Sequence, residues 1–260
     1  MAKTALITGA SSGIGASFAK YHASLGGDVI LTARRSAELN ALKSELETAH
    51  GITAHVFALD LGTADGAQEL HKQIQAAGLR VDILINNAGF GGQGAFIERE
   101  LDADLSMIDL NIKALVALTH MIAKDMVEQG GGKILHVGST AGFMPGPMQA
   151  TYFATKAFVN SFSQALDEEL RDKGVTSTVL APGYVETEFA KAANLEGTGL
   201  VKGGGASADS VAKHGYDAMM AGKLVTINEF GLRFMINWLM PFLPSRMKLS
   251  MVRKMQTKAH

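Results

Sequence analysis

The sequence predicts an α/β fold: a single Rossmann-type domain with a doubly wound parallel sheet of about seven strands and helices on both faces. Short apolar segments of strand length alternate with longer segments of helical periodicity. Glycines cluster where the apolar segments end, as tight turns require. Polar side chains follow the same ends, as they do at the carboxyl edge of a parallel sheet. These three observations indicate strands joined by crossover helices.

The first strand, Thr4–Ile7, leads into a glycine-rich turn that reads Thr-Gly-Ala-Ser-Ser-Gly-Ile-Gly from Thr8 to Gly15. A helical pattern follows, so the turn can present backbone N–H groups to a phosphate at a helix N-terminus. Its spacing differs from the G-x-G-x-x-G dinucleotide motif, and it lacks the Gly-Lys-Ser/Thr ending of a P-loop. From these residues alone, phosphate binding and a plain tight turn are both open.

The second strand, Asp28–Ala33, is followed by Arg34 and Arg35. In dinucleotide-binding domains this position holds an acid that bonds an NAD ribose, or an arginine that accepts the NADP 2′-phosphate. Two guanidinium groups without a carboxylate favour the phosphate. A solvated basic turn is the alternative.

The remaining strands of the predicted sheet are short aliphatic segments, each ending in a polar or glycine-rich turn. Ser139 follows one of them, at the same predicted edge as the first glycine turn, although a serine beside glycine is also ordinary turn chemistry. The predicted strands are Val56–Asp60, Asp82–Ile85, Lys133–Val137, Val175–Leu180 and a short Leu224–Thr226.

The stretch from Leu101 to about Gln129 is helical throughout, as two helices or one bent helix. Asn111 lies within it between apolar neighbours. Asparagine is an indifferent residue in a helix interior, and a buried amide needs a polar partner. Asn111 is therefore either a cap at a helix break or a residue with a specific polar role.

Tyr152 and Lys156 lie four residues apart at the start of another helical pattern, so their side chains share one face. A free tyrosine has a pKa near ~10. A nearby ammonium group is expected to lower that pKa, and a tuned phenol can act as a general acid or base. Taken alone, the pair could equally be a solvated pair on a helix surface.

Two C-terminal regions differ in composition from the rest. Residues 190–222 contain a glycine-rich stretch and are predicted to form a flexible flap over a substrate pocket, with a disordered surface loop as the alternative. Residues 231–260 contain six Lys and Arg, many methionines and no acid, which predicts a basic amphipathic helical extension interrupted by Pro241 and Pro244. This extension could rest on an anionic membrane, line an apolar pocket, or pack on the body or on a second subunit.

The composition and the motifs that are missing from the sequence exclude several classes of function. A net charge of −1 over 260 residues gives no nucleic-acid footprint, and the absence of cysteine excludes disulfides and thiolate chemistry. No histidine spacing typical of a metal site and no G-x-S-x-G motif occurs. There is no signal peptide pattern and no uninterrupted apolar stretch of ~20 residues. We expect one domain, 1–260, in the cytoplasm, with the inner membrane surface as an alternative location.

The ordered set of motifs closely resembles the short-chain dehydrogenase/reductase family. The matching motifs are Thr8 to Gly15, Asn86-Asn87-Ala88-Gly89, Asn111, Ser139, Tyr152-x-x-x-Lys156 and Pro182-Gly183. The resemblance implies a seven-stranded Rossmann-type domain and a catalytic tetrad of Asn111, Ser139, Tyr152 and Lys156. In that tetrad Tyr152 exchanges the proton, Ser139 bonds the substrate oxygen, Lys156 tunes the phenol and bonds the nicotinamide ribose, and Asn111 holds a water.

The resemblance also implies NADP(H) as cofactor, with NAD(H) less favoured. NADP preference depends on Arg34 and Arg35, because Ser11-Ser12 stand where many NADP-using relatives carry a basic residue. The implied cofactor-binding residues are Gly9, Ser11, Ser12, Gly13, Ile14, Arg34, Arg35, Asp60, Leu61, Asn87, Ala88, Gly89, Tyr152, Lys156, Pro182, Gly183, Val185 and Thr187.

The expected activity is therefore interconversion of a carbonyl and a secondary alcohol. The methionine-rich extension favours an apolar substrate, such as an acyl chain, a steroid-like ring or a hydrophobic ketone. Small polar keto compounds are the alternative substrates, and a non-catalytic NADP-binding regulatory module is the alternative function. Family members commonly form homodimers or homotetramers.

Overall fold

A seven-stranded parallel sheet forms the centre of the computed structural model, which describes residues 3–258. Residues 1–2 and 259–260 lie outside the described residues. The predicted domain 1–260 and the predicted extension 231–260 are therefore described without them. The strand order is β3-β2-β1-β4-β5-β6-β9, which confirms the predicted fold class. The strands are β1 Thr4–Thr8, β2 Asp28–Ala33, β3 Ala54–Ala58, β4 Ile83–Asn86, β5 Gly132–Val137, β6 Val175–Leu180 and β9 Val225–Thr226, with β7 Val185–Glu186 and β8 Ala206–Ser207 forming a separate small pair.

Helices connect the strands and cover both faces of the sheet. They are α1 Gly13–Ser24, α2 Ser36–His50, α3 Gly66–Ala76, α4 Leu101–Ile108, α5 Leu115–Glu128, α6 Ala150–Leu170, α7 Phe189–Ala192, α8 Gly199–Lys202, α9 Ala208–Met220, α10 Phe230–Phe234 and α11 Ser245–Gln256. Short 3₁₀ segments lie at Phe96–Glu98, Thr140–Phe143, Arg171–Lys173 and Met240–Phe242.

The core consists of two apolar layers separated by the sheet. Along β1, Ala5 and Ile7 pack toward α1, α2 and α9, whereas Leu6 packs toward α3 and α5. Strands buried on both faces need apolar side chains at successive positions, which explains the continuous apolar runs in the sequence. Because the strand order reverses between β1 and β4, a crevice forms there at the carboxyl edge of the sheet.

The helical stretch from Leu101 to Glu128 is continuous and contains a π-helical segment, Asp109–Ala114, between α4 and α5. By length and mean hydropathy (1.4) this run could cross a membrane, although charged residues interrupt its apolar positions. In this fold its buried residues, Leu118 and Ile122 among them, pack against the sheet. Such a core helix passes the same composition test, so the match is weak evidence for a membrane span.

The predicted flap, 190–222, divides into two parts. Residues 208–220 form α9, whose buried Val211 and Met219 belong to the main core. Ala190, Ala193 and Leu195, in and just after α7, form a small separate cluster. The flap prediction therefore extends too far along the chain, and the mobility of the earlier part stays a prediction.

The hydroxyl of Thr8 fixes the crevice between β1 and β4. It accepts hydrogen bonds from the backbone N–H groups of Asn87 and Ala88, both at 2.9 Å. The carboxamide of Asn87 in turn donates to the Thr8 carbonyl oxygen at 2.9 Å. One threonine thus satisfies two N–H groups where β4 ends and sets the position of the loop that follows.

We predict that Thr8→Val lowers the free energy of unfolding by about 1–3 kcal/mol, because two partly buried N–H groups lose their acceptor. Thr32 is the matched control. It pairs with Thr8 in the sheet register and is fully buried, and its hydroxyl has no partner among the described residues. Thr32→Val is expected to leave stability unchanged or to raise it. Urea unfolding of both variants measures the difference, and equal losses would contradict this reading of the Thr8 bonds.

Candidate active site

A cavity of about 820 Å³ opens at the carboxyl edge of the sheet. It is lined by all of the predicted cofactor-binding residues and by three of the four predicted catalytic residues. Asn111 is the predicted residue that does not line it. The predicted residues brought together are Gly9, Ser11, Ser12, Gly13, Ile14, Arg34, Arg35, Asp60, Leu61, Asn87, Ala88, Gly89, Ser139, Tyr152, Lys156, Pro182, Gly183, Val185 and Thr187.

The glycine-rich turn forms a cradle at the start of α1. Gly9 and Gly13 have φ angles of 67° and 54°, which side-chain-bearing residues rarely adopt. A Cβ on Gly15 would lie 2.3 Å from the carbonyl oxygen of Gly9, so only glycine allows this close packing. The helix cap Ser12 makes no side-chain bond to the first turn, which contains no acid. The free N–H groups therefore suit a phosphate, and the residues present fit a dinucleotide.

Arg35 reaches from the end of β2 to the glycine turn. Its Nε and one terminal nitrogen donate to the hydroxyl of Ser11 at 3.3 and 3.2 Å. The guanidinium also pairs with Glu188 at 3.2 Å, which neutralises part of its charge. Arg34 is more exposed and lies 4.0 Å from Asp60. A basic group thus stands at the turn although Ser11-Ser12 carry no charge.

Tyr152 and Ser139 meet inside the cavity. The Ser139 hydroxyl accepts a hydrogen bond from the N–H of Ala141 at 3.1 Å, which leaves its own proton directed elsewhere. Burial raises the pKa of Tyr152 to about 12, while its hydrogen bond with Ser139 acts in the opposite direction. Desolvation of the phenolate is the largest cause of this shift, so the pKa of the buried phenol lies above its ordinary value and not below it. The contribution of Lys156 to this pKa stays a prediction.

Lys156 lies on the same side of α6 as Tyr152, with Nζ 5.9 Å from the centre of the phenol ring. The ammonium donates to the carbonyl oxygen of Val137 at 2.7 Å, and burial lowers its pKa to about 8. One turn further on, the Asn160 amide donates to the carbonyl oxygen of Ser139 at 3.0 Å. Two successive turns of α6 are thereby fixed to the end of β5.

Asn160 was not predicted, although its spacing of four residues from Lys156 could have indicated it. Its side chain also explains the glycines on either side of Ser139. A Cβ on Gly138 would lie 2.0 Å from Asn160 Oδ1, and one on Gly142 would lie 2.4 Å from Nδ2. The glycines let α6 approach the loop closely enough for Tyr152 to face Ser139.

Asn111 lies behind the cavity, in the π-helical segment, and does not cap a helix break. Its amide nitrogen donates to the carbonyl oxygen of Phe90 at 2.9 Å and to the Thr155 hydroxyl at 3.1 Å, and its oxygen accepts from the N–H of Phe90. A π-helical turn widens the helix locally, and such turns are frequent at functional sites. Here it aims the amide at the loop after β4 and at α6.

The C-terminal extension forms one wall of the cavity, which sequence reasoning had left open among three roles. We call this the C-terminal wall. Gln149, the N-cap of α6, is hydrogen-bonded to its member Gln256 at 2.5 Å, and Phe153 of α6 also lines the cavity. Gln149 was not predicted, and nothing in its sequence surroundings distinguishes it. The C-terminal wall consists of Leu232, Met235, Ile236, Met251, Val252, Met255 and Gln256.

A sequence model described as short chain dehydrogenase matches residues 3–197, which include the cradle, the tetrad and the Pro182 loop. The chain belongs to the short-chain dehydrogenase/reductase family. It is an oxidoreductase of the kind that acts on CH–OH groups and the corresponding carbonyls. The C-terminal wall lies outside the matched residues, so it is the part of the site that the family pattern does not specify.

Named relatives differ in what they act on. Sulfoacetaldehyde reductase 2 of Chromohalobacter salexigens is 39% identical over 73% of this chain and 75% of that protein. Very-long-chain 3-oxoacyl-CoA reductase of Homo sapiens is 35% identical over 72% of this chain and 61% of that protein. The chain also spans 61% of a short chain dehydrogenase of Pseudocercospora fijiensis, so it covers about three fifths of the length of these last two relatives.

Solved structures extend the likeness beyond the matched residues. A short-chain dehydrogenase from Sphingobium yanoikuyae in complex with NADPH is 31% identical and superposes with a TM-score of 0.82. The alignment covers 93% of this chain and 96% of that one. The shared architecture therefore includes most of the C-terminal part.

We predict that the free energy of unfolding of the wild type rises between about pH 8 and 10.5, and that Lys156→Met removes this rise. In the folded protein the pKa of Lys156 is about 8, against 10.5 for the free side chain, so the unfolded chain binds more protons between these values. Stability gained from this group therefore rises with pH through that window, by at most about 1.4 kcal/mol per pH unit. Urea unfolding at several pH values measures the slope, with the exposed Lys124→Met as control. Parallel curves for wild type and Lys156→Met would refute the assignment.

Proposed function

We propose that this protein is an NADPH-dependent reductase of apolar ketones or aldehydes. One observation carries the proposal: a single cavity joins a phosphate cradle with an adjacent arginine, a Tyr152–Ser139 pair and an apolar C-terminal wall. The first feature suits a dinucleotide, the second a carbonyl oxygen, and the third an apolar substrate body.

The side chains divide the chemistry between them. NADPH, when bound, supplies the hydride for the carbonyl carbon. The Ser139 hydroxyl accepts from the N–H of Ala141 at 3.1 Å and donates to the carbonyl oxygen of Pro182 over a long 3.5 Å. Its proton can therefore turn to the substrate carbonyl oxygen and stabilise the charge that develops there. Tyr152 donates its proton to the same oxygen. The positive charge of Lys156, 5.9 Å from the ring centre, favours the phenolate that remains.

The protonation state of Tyr152 suits the role of a general acid. With a pKa raised to about 12, the phenol carries its proton throughout the neutral range and is ready to donate it. The same group takes a proton back when an alcohol is oxidised, so its pKa sets the pH dependence of each direction.

The activity is tested with a panel of ketones and aldehydes, following NADPH oxidation optically. We expect turnover of apolar carbonyl compounds at neutral pH and a loss of at least ~10²-fold in kcat for Tyr152→Phe, which removes the general acid. Preferential reduction of small polar carbonyl compounds would favour the alternative that the substrate is small and polar. One relative is named for such a compound, sulfoacetaldehyde. NADPH binding without turnover of any compound would favour the non-catalytic NADP-binding module.

NADPH preference is proposed from Arg35, which reaches the glycine turn, and from the NADPH complex of the Sphingobium relative. We predict that Arg35→Ala weakens NADPH binding by about tenfold or more, because a charge-assisted contact to the 2′-phosphate is lost, while NADH binding is unchanged. Glu188→Gln removes the nearer of the two carboxylates that pair with Arg35, the other being Glu38 at 3.8 Å, and is expected to tighten NADPH binding. The exposed Arg34→Ala should have the smaller effect. Isothermal titration gives the affinities, and a uniform loss for both cofactors in Arg35→Ala would contradict the role.

We further propose that the extension rests on an anionic membrane surface. Phe230, Phe234 and Trp238, spaced four residues apart, are 74%, 58% and 68% exposed. Arg233 lies 5.4 Å from the Phe230 ring centre. Exposed aromatic residues in a basic helical segment are typical of interfacial helices. A second copy would bring like charges near one another, whereas anionic lipid complements them. The cations of the acid-free segment are Arg233, Arg246, Lys248, Arg253, Lys254 and Lys258.

The opposite side of the same segment lines the cavity through Leu232, Met235 and Ile236. The segment between Phe230 and Leu239 is therefore apolar on both sides, one facing the cavity and one facing outward. Contact with a bilayer would cover the outward side and place the cavity wall next to a source of apolar substrate.

Trp238 is the only tryptophan, so its fluorescence reports directly on this surface. We predict that its emission moves to shorter wavelength with phosphatidylglycerol vesicles and not with phosphatidylcholine vesicles, and that salt reverses the shift. Phe234→Ser should abolish co-sedimentation with the anionic vesicles, whereas Leu25→Ser, an exposed apolar position after α1, should not. A shift that depends on protein concentration without vesicles would indicate a second copy instead.

We also propose a homodimer or homotetramer. Leu101 and Leu105 on α4 and Phe158 on α6 are exposed apolar residues on helices that adjoin the site. Apolar side chains on neighbouring helix faces are typical of subunit interfaces. The number of copies stays a prediction.

A further inference from the structure

Three methionines on α11 lead from the protein surface into the cavity. Met247, Met251 and Met255 are spaced four residues apart, so they lie in one row along the helix. Met251 and Met255 line the cavity and are still 36% and 42% exposed. Met247 is 55% exposed and is not among the residues that line the cavity. This row, which we call the methionine stripe, therefore continues the apolar cavity wall onto the protein surface.

The end of α11 that carries Met255 is attached firmly to the body of the protein. Gln256, the next residue, is buried, and its side chain accepts a hydrogen bond from Gln149 at 2.5 Å. Its backbone oxygen accepts from Gln93 Nε2 at 3.0 Å. Met247 lies about 12 Å further back along the helix axis. The methionine stripe is thus held in place at the cavity and extends away from it.

The described residues that line the cavity from residue 189 onward carry no charge, and all of them except Gln256 are apolar. A hydrocarbon chain can lie along such a wall without losing a polar partner, whereas an anionic group would lose its hydration without gaining a cation. Methionine side chains are flexible and adapt to ligands of different length. The wall and the methionine stripe therefore suit an uncharged chain.

The volume of the cavity limits how much of a substrate it can enclose. A pocket of about 300–1,000 Å³ suits one drug-sized ligand. This cavity has about 820 Å³ and is proposed to hold a dinucleotide together with the reacting end of the substrate. A long substrate therefore has to extend out of the cavity, and the methionine stripe offers it an apolar surface where it leaves.

We propose that the methionine stripe binds the distal part of a linear hydrocarbon chain whose carbonyl group lies at Tyr152 and Ser139. The preferred substrates are then long-chain ketones or aldehydes. A compact ring system lacks the extended part that would cover the row from Met255 to Met247. This inference rests on the proposed reductase function and narrows its substrate class from apolar carbonyl compounds to linear ones.

The test uses linear methyl ketones of increasing chain length with NADPH, in the absence of vesicles. In the wild type we expect kcat/KM to rise about fourfold for each methylene enclosed in the cavity, and about twofold for each one that lies along the methionine stripe with one side in water. Met247→Ser should remove the second rise and lower the ratio of kcat/KM for the longest ketone to that for the shortest by about tenfold.

Met220→Ser is the matched control. Met220 is an exposed methionine on α9 (38%) and is not among the residues that line the cavity. The ratio of kcat/KM for the longest to the shortest ketone should be the same in this variant as in the wild type. A fall of that ratio in both variants would overturn the assignment to the methionine stripe.

Calorimetric binding of the same ketones, without turnover, separates this inference from the reductase function. An affinity that rises with chain length in the wild type, and less steeply in Met247→Ser, would support the methionine stripe even if no ketone were reduced. The reductase function would then fail alone. Binding and turnover that depend on chain length identically in the wild type and in Met247→Ser would overturn the inference. An equal loss for every ketone in Met247→Ser would also overturn it, because Met247 would then only stabilise α11.

Discussion

The buried ammonium of Lys156, bonded to the carbonyl oxygen of Val137, is the contact on which the arrangement of the site depends. Placing a cation away from water is costly unless it finds a strong acceptor, so helix α6 must dock where β5 ends. Asn160 repeats the attachment one turn later through the carbonyl oxygen of Ser139. Together these bonds fix α6 against the loop that carries Ser139. Because Tyr152 lies on α6, the same bonds set the position of its phenol next to Ser139.

The cavity combines two parts that obey different constraints. Its cofactor side is built from turns at the sheet edge, where Gly9, Gly13 and Thr8 fix the backbone itself. Its substrate side is built from side chains of the C-terminal extension, beyond residue 197 where the family match ends. The first part therefore lies within the residues that match the family, and the second part lies outside them. Relatives named for a small sulfonated aldehyde and for a long acyl chain are consistent with such a division.

Burial decides the electrostatics of the site more than the nearest charge does. The spacing of Tyr152 and Lys156 suggested a lowered phenol pKa, yet desolvation raises it to about 12 and lowers that of Lys156 to about 8. Both shifts favour the neutral forms, as expected for groups removed from water. Sequence spacing shows which groups are neighbours, but it does not show how much water reaches them.

The sequence by itself determined the parallel sheet, the glycine cradle and the grouping of Ser139, Tyr152 and Lys156, because turns and strand ends depend on local residues and because parallel strands end at one edge. It did not determine the contact of Asn160 with Ser139, the contact between Gln149 and Gln256, or that α9 belongs to the core. Gln149 and Gln256 are 107 positions apart and meet only when α11 folds over the cavity. Contacts between distant segments depend on how whole helices pack, and no local pattern of residues specifies that packing.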